Sequence, residues 1–291
     1  MTSMAVSIKY THDANWGSLP EGAPEWGVVP AVVVDAQDRV YVHRRSKPAV
    51  VVYAPQGDIL ATWGEPFEAG AHGLHIRQEA DGEYLYFTDV RRHCVVKCDL
   101  QGHEVWTLGR PGQVGATGEP FNRPTDIAFT PEGDFYVSDG YGNSRVHHYD
   151  AGRQLIRSWG EPGSGPGQFA LVHDVWFDLR QGQRRVWICD RTNNRLQIFS
   201  PEGEFIEEKT GFRRPNGVWV DPQGYLYVAE LDARVTILDP EDRVVGHIGG
   251  TPAREPGHLL KPHAIWGDSR GDLYVAEVED GARIQKFVRA W

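Results

Sequence analysis

Three of the twelve histidines in this chain, His72, His173 and His263, open short apolar stretches of one design: HGLHIR (72–77), HDVWFD (173–178) and HAIWGD (263–268). Three imidazoles converging on one point make a usual first shell for zinc, with a fourth position left for water or substrate; iron, copper and nickel also accept such a set. Elsewhere the chain carries groups suited to work beside an ion: His43-Arg44-Arg45, Asp139-Gly140-Tyr141-Gly142-Asn143-Ser144-Arg145 and Asp190-Arg191-Thr192-Asn193-Asn194-Arg195. A guanidinium grips a carboxylate through two hydrogen bonds, and a tyrosine held beside a metal and an arginine can serve as a base.

Residues this far apart meet only if the chain repeats itself, and it does, at intervals of about 40 to 50 residues, the range of propeller blades. Each copy opens with an apolar strand: PAVVVD (30–35), HGLHIR, TDIAFT (125–130), HDVWFD, NGVWVD (216–221) and HAIWGD. An aromatic, β-branched strand follows after a turn: RVYVH, YLYFTD, DFYVSD, RVWICD, YLYVAE and DLYVAE. Such residues at period two are strand formers. A third strand (RVHHYD, RLQIFS, RVTILD, RIQKFV) and a fourth ending near Trp-Gly complete the copy. The sixth copy stops after its third strand, while the segment from Ser7 to Gly17 ends in the same Trp-Gly. The expectation is therefore an all-β, six-bladed propeller forming a single domain over 1–291. Its blades span roughly 28–64, 71–109, 123–160, 171–211, 214–250 and 261–291, the last closed by 7–17 so that no sheet edge is left open.

In a propeller the first strands line the central channel, so one position read six times is a ring: Pro30, His72, Thr125, His173, Asn216, His263. Histidine occupies alternate blades, and alternate positions of a sixfold ring form a triangle. The competing reading, three channel histidines bonded to neighbours, leaves that strict alternation unaccounted for. His75 falls out of register and reads as a neighbour. Asp89, Asp139, Asp190, Glu230 and Glu277 recur at one position and read as braces, as do Arg145, Arg195, Arg234 and Arg283. Tyr141, Arg44 and Arg191 have no such counterparts and are the candidate catalytic groups.

Composition narrows the function further. Lys and Arg total 30 against 40 Asp and Glu, a net charge of −10 with no basic patch, which disfavours nucleic acid as a partner. No apolar stretch approaches the roughly 20 residues of a membrane helix, and the first ten residues lack a signal-peptide core. A cytoplasmic protein with no membrane partner is expected. Cys94, Cys98 and Cys189 are an odd number and read as buried core residues.

The phrases RPNGVWVDPQGYLYVAE and VSDGYGNSRVHHYD resemble NHL repeats over essentially the whole chain. The residues His72-Gly73-Leu74, Ser138 to Arg145, Gly167-Gln168-Phe169 with His173, Asp190-Arg191, His43-Arg44 and Pro262-His263 resemble peptidyl-α-hydroxyglycine α-amidating lyase. That resemblance implies a six-bladed propeller whose zinc is held by His72, His173 and His263, with Tyr141 as base and Arg44 and Arg191 orienting the substrate carboxylate. The reaction it implies cleaves the C–N bond of a carbinolamide to give an amide and glyoxylate. Gly142 stands where the family's animal members carry a cysteine. The family's structural calcium is held partly by an aspartate just after the last histidine ligand; that position is Ala264 here, so the calcium does not carry over. The expected substrate is a peptide or small-molecule carboxylate, an N-acyl or ureido α-hydroxyglycine made elsewhere. Two other functions fit the same repeats: a metal-dependent ester or lactone hydrolase, and a scaffold that binds a protein partner without catalysis.

Overall fold

The computed structural model describes residues 8–290. Six four-stranded antiparallel sheets stand around a central axis, five of them built in chain order from the channel outward, so the molecule is the six-bladed propeller the repeats imply. The first strands are Ala31–Val34, Ala71–Glu79, Asp126–Phe129, Val172–Asp178, Pro215–Val220 and Pro262–Gly267. Each touches the first strands of both neighbouring blades, which closes the ring. In blade 6 the outermost strand is Lys9–His12, paired antiparallel with Arg283–Ala290 from Lys9↔Ala290 to His12↔Phe287. The chain beginning thus supplies the missing strand; Ser7 and Trp291, the outer limits expected for that blade, lie outside the described residues.

Burial falls from axis to rim. Blade 1 shows it: the strands AVVV, VYVH and VVVY are buried at every residue, whereas Ile59–Trp63 is mostly exposed. Inner strands are sandwiched between neighbouring blades, so valine and isoleucine serve on both faces, and each fully buried side chain of that size contributes about 1.5–3 kcal/mol. The three cysteines are free and buried in these layers.

In blades 2 to 6 acids at the ends of the second strands act as braces. Asp139 accepts the Asn122 amide at 2.9 Å, Asp190 the Ala170 amide at 3.0 Å and Glu277 the Leu260 amide at 2.6 Å. Arg195, Arg234 and Arg283 each place Nε 2.7–2.9 Å from the brace acid of their own blade. Being fixed, these acids also set where the chain leaves the sheet, immediately above the ring of first-strand residues.

Candidate active site

His72, His173 and His263 face one another across the channel, with ring centroids 4.6–5.0 Å apart. One ring nitrogen of each lies within 4.8 Å of those of the other two, close enough for one ion to reach all three. The orientation comes from the blades between them. His72 Nδ1 lies 2.6 Å from Thr125 O, His173 Nδ1 2.8 Å from Asn216 O, and His263 Nδ1 2.7 Å from Pro30 O. A carbonyl only accepts, so each Nδ1 carries the proton and donates. Each Nε2 lone pair is thereby left for the centre, the arrangement in which metal-binding imidazoles are usually held. Blades 2, 4 and 6 supply imidazoles while blades 3, 5 and 1 supply the carbonyls that orient them, which is the physical sense of the alternation.

Burial, the largest cause, together with nearby cationic groups holds His72 and His173 well below the usual imidazole range and His263 at about 3. Neutral imidazoles with Nε2 unprotonated are the form a divalent transition ion binds. The residues present therefore fit a zinc-type ion.

Tyr141 sits directly above. Its hydroxyl is 3.0 Å from His72 Nε2 and 3.3 Å from His173 Nε2, and its ring stands edge-on to both imidazoles. A single helical turn, Gly140–Asn143, brings it there. Gly140 is required for that approach, because a Cβ on it would fall 1.5 Å from Val172 O. The Arg191 guanidinium lies 5.5 Å from the centre of the Tyr141 ring, and its Nε is buried with no hydrogen-bond partner among the described residues. Arg123 supports the turn, donating to Tyr141 O at 2.7 Å.

Arg44 is not part of this group. It is fully buried on the outer side of the turn, donating Nε to Trp26 O at 2.8 Å and Nη2 to Glu25 O at 2.9 Å. Arg45 takes the place expected for it, with Nε 2.6 Å from Ala71 O and its side chain lining the recess together with Tyr141, Arg191 and His263. The reason is one residue of register. In four blades the residue after the brace acid donates its amide to the carbonyl two positions before the ring residue: Val90 to Gly70, Arg191 to Leu171, Leu231 to Arg214, Val278 to Lys261. In blade 1 it is Arg45 that does so, to Val28. Arg44 therefore occupies the brace position and, being a donor, bonds carbonyls where the acids bond amides. The missing acid in VHRR was the available signal: aligning Arg44 with the braces points to Arg45.

Below the histidines, Asp126 and Asp174 both line the channel. Burial raises both carboxyls, Asp126 to about 7, and each sits against the other. Both follow ring residues directly, so reading the next position six times would have found them. At the same level Ala264 offers only a methyl group. His75 lies deeper, packed against Phe129, Trp176 and Trp266, and takes no part in the triangle.

Comparison with known proteins bears on both fold and site. The NHL repeat model matches residues 121–149. NHL repeat-containing protein 3 of Homo sapiens is 30% identical over 259 residues, covering 83% of this chain and 72% of that protein. Peptidyl-alpha-hydroxyglycine alpha-amidating lyase 1 of Drosophila melanogaster is 32% identical over 159 residues, 51% of this chain and 29% of that protein. A solved streptogramin B lyase superposes with a TM-score of 0.65 at 12% identity, covering 99% of this chain and 100% of that one, a likeness of fold.

Proposed function

The chain belongs to the NHL repeat-containing proteins, a membership that settles the propeller and leaves the chemistry to the ring at its axis, and for that ring we propose a metal-dependent carbon–nitrogen lyase. Its substrate on this reading is an N-acyl α-hydroxyglycine, split into an amide and glyoxylate. The observation that carries the reading is the Tyr141 hydroxyl, 3.0 Å from His72 Nε2 and 3.3 Å from His173 Nε2, directly over three converging imidazoles. The likeness to the fly lyase supports it.

His72, His173 and His263 would hold a zinc-type ion, which would supply Lewis acidity toward a substrate hydroxyl. The chain's own residues do the rest. Arg191, with a buried Nε that has no partner among the described residues, and Arg45 on the facing blade hold the substrate carboxylate. Tyr141, as the base of the step, takes the hydroxyl proton. As the carbonyl of glyoxylate forms, the C–N bonding pair goes to nitrogen; Tyr141 returns the proton there and the amide leaves. No oxidant or reductant is needed, because the carbinol carbon already stands at the aldehyde level.

The test is glyoxylate release from α-hydroxyhippurate by chelator-treated and zinc-restored protein. Release that returns with zinc supports the reading. A zinc-loaded protein that releases none, yet hydrolyses a simple lactone or ester, replaces the lyase with a hydrolase.

A further inference from the structure

The first strands end, on the face opposite the recess, at a position that can also be read six times: Asp35, Arg77, Thr130, Asp178, Asp221 and Asp268. Each of the four aspartates pairs with an arginine: Asp35 with Arg39, Asp178 with Arg180, Asp221 with Arg289 and Asp268 with Arg270. Blade 2 places an arginine there instead, and blade 3 an uncharged threonine. The turn between the third and fourth strands, on the same face, departs from the repeat at the same boundary. Its left-handed position holds Gly57, Gly102 and Gly203 in blades 1, 2 and 4, Asp242 in blade 5, and Arg153, at φ 68°, in blade 3. Between blades 4 and 5 that position completes a set of opposite charges, with Asp242 2.7 Å from Arg180 Nη2 and 3.0 Å from Arg185 Nη1. Between blades 2 and 3 it brings Arg153 into one groove with Arg77, like charge with like.

The groove encloses about 440 Å³, within the roughly 300–1,000 Å³ of small-molecule pockets. The Arg77 guanidinium lies 5.0 Å from the centre of the Phe129 ring, and that of Arg153 5.1 Å from the centre of the Trp106 ring. A guanidinium held by its face keeps N–H edges for a planar oxyanion. Arg77 Nη2 reaches Pro131 O at 3.4 Å, and neither arginine makes an ion pair among the described residues. The acids of the groove are already engaged: Glu79 by Lys97 at 2.8 Å, and Glu132 by the two Nη atoms of Arg184 at 2.8 and 2.6 Å. Two positive charges therefore stand without counter-charge between aromatic walls, on a chain whose net charge is −10. One of them occupies a backbone conformation that three other blades leave to glycine, at a cost in strain. We infer that this groove binds a small organic oxyanion, a carboxylate or phosphate ester on a planar ring, gripped between Arg77 and Arg153 with its apolar body against Trp106 and Phe129. Two charges suit a small ligand and not a polymer backbone.

The experiment is titration calorimetry on the zinc-loaded protein at low salt, with AMP and phthalate as anionic probes and adenosine as the uncharged control. Arg77→Asp and Arg153→Gly carry the residues that other blades use at these two positions, so the fold accepts both, and melting temperature checks that it does. The expected result is that at least one anion binds with a Kd of about 1 mM or tighter, that adenosine does not, and that each variant weakens the anion about tenfold or more. Binding of AMP alone assigns a phosphate ester, and of phthalate alone a carboxylate. Arg45→Gln separates the groove from the recess. Binding that survives Arg45→Gln and is lost in Arg77→Asp supports the inference; the reverse places the anion over the histidines and overturns it. No binding of either probe, or binding unchanged in both folded variants, overturns it as well.

Discussion

The imidazole of His263 donates through Nδ1 to the carbonyl of Pro30, 2.7 Å away across the blade 6–blade 1 boundary and 233 residues apart in sequence. The bond joins the last ring residue to the first, so the closure of the propeller and the orientation of one candidate ligand are a single event. Blades that splay apart would lose both.

The first prediction concerns the metal. Zinc should bind at about one ion per chain, as read by atomic emission after dialysis. His173→Ala should weaken it by at least tenfold, since two imidazoles remain where three converged. Tyr141→Phe should leave zinc content and melting temperature unchanged while lowering kcat by about 10²–10⁴, the usual contribution of a positioned acid–base group.

Arg44 and Arg45, adjacent in sequence, should behave differently. Arg45→Gln should raise KM for a carboxylate substrate about tenfold or more with stability intact, because its guanidinium faces the recess. Arg44→Met should leave KM unchanged and lower stability by about 2–4 kcal/mol, because it strips charged donors from the carbonyls of Glu25 and Trp26. Urea denaturation and steady-state kinetics on the same two preparations decide it.

Gly140→Ala tests how the base is placed. The added methyl would meet Val172 O, so the turn must shift, at a cost of about 1–3 kcal/mol as overpacking goes. Activity should fall as far as in Tyr141→Phe although the phenol is still present.

Acid should destabilise the fold through His43. The ring is fully buried between Phe67 and Phe87, and burial, with Arg45 nearby, lowers its pKa to about 3 from 6.5. The unfolded chain therefore binds the proton first. Stability from this group is whole above about pH 6.5 and is lost as pH falls toward 3, at about 1.4 kcal/mol per unit. Urea midpoints measured from pH 7 to pH 4 should fall less steeply in His43→Leu than in the unchanged protein; equal slopes would assign the loss to other groups.

The repeat made most of this legible without coordinates. Hydrophobic period, turn glycines and the recurring braces act locally, so the blade pattern, the strand lent by the chain's beginning and the ring of Pro30, His72, Thr125, His173, Asn216 and His263 follow from reading equivalent positions. What the sequence could not carry is which way a side chain leaves the backbone where the repeat lapses. Blade 1 has no brace acid, so His43-Arg44-Arg45 reads in two registers, and only packing against the carbonyls of Glu25 and Trp26 turns Arg44 outward and Arg45 in. The make-up of the recess was equally hidden, since it depends on Arg45, Arg191, Leu231, Val278 and Glu279 meeting across four blades. Periodicity is a one-dimensional property and survives in the chain; convergence over an axis exists only once the ring has closed.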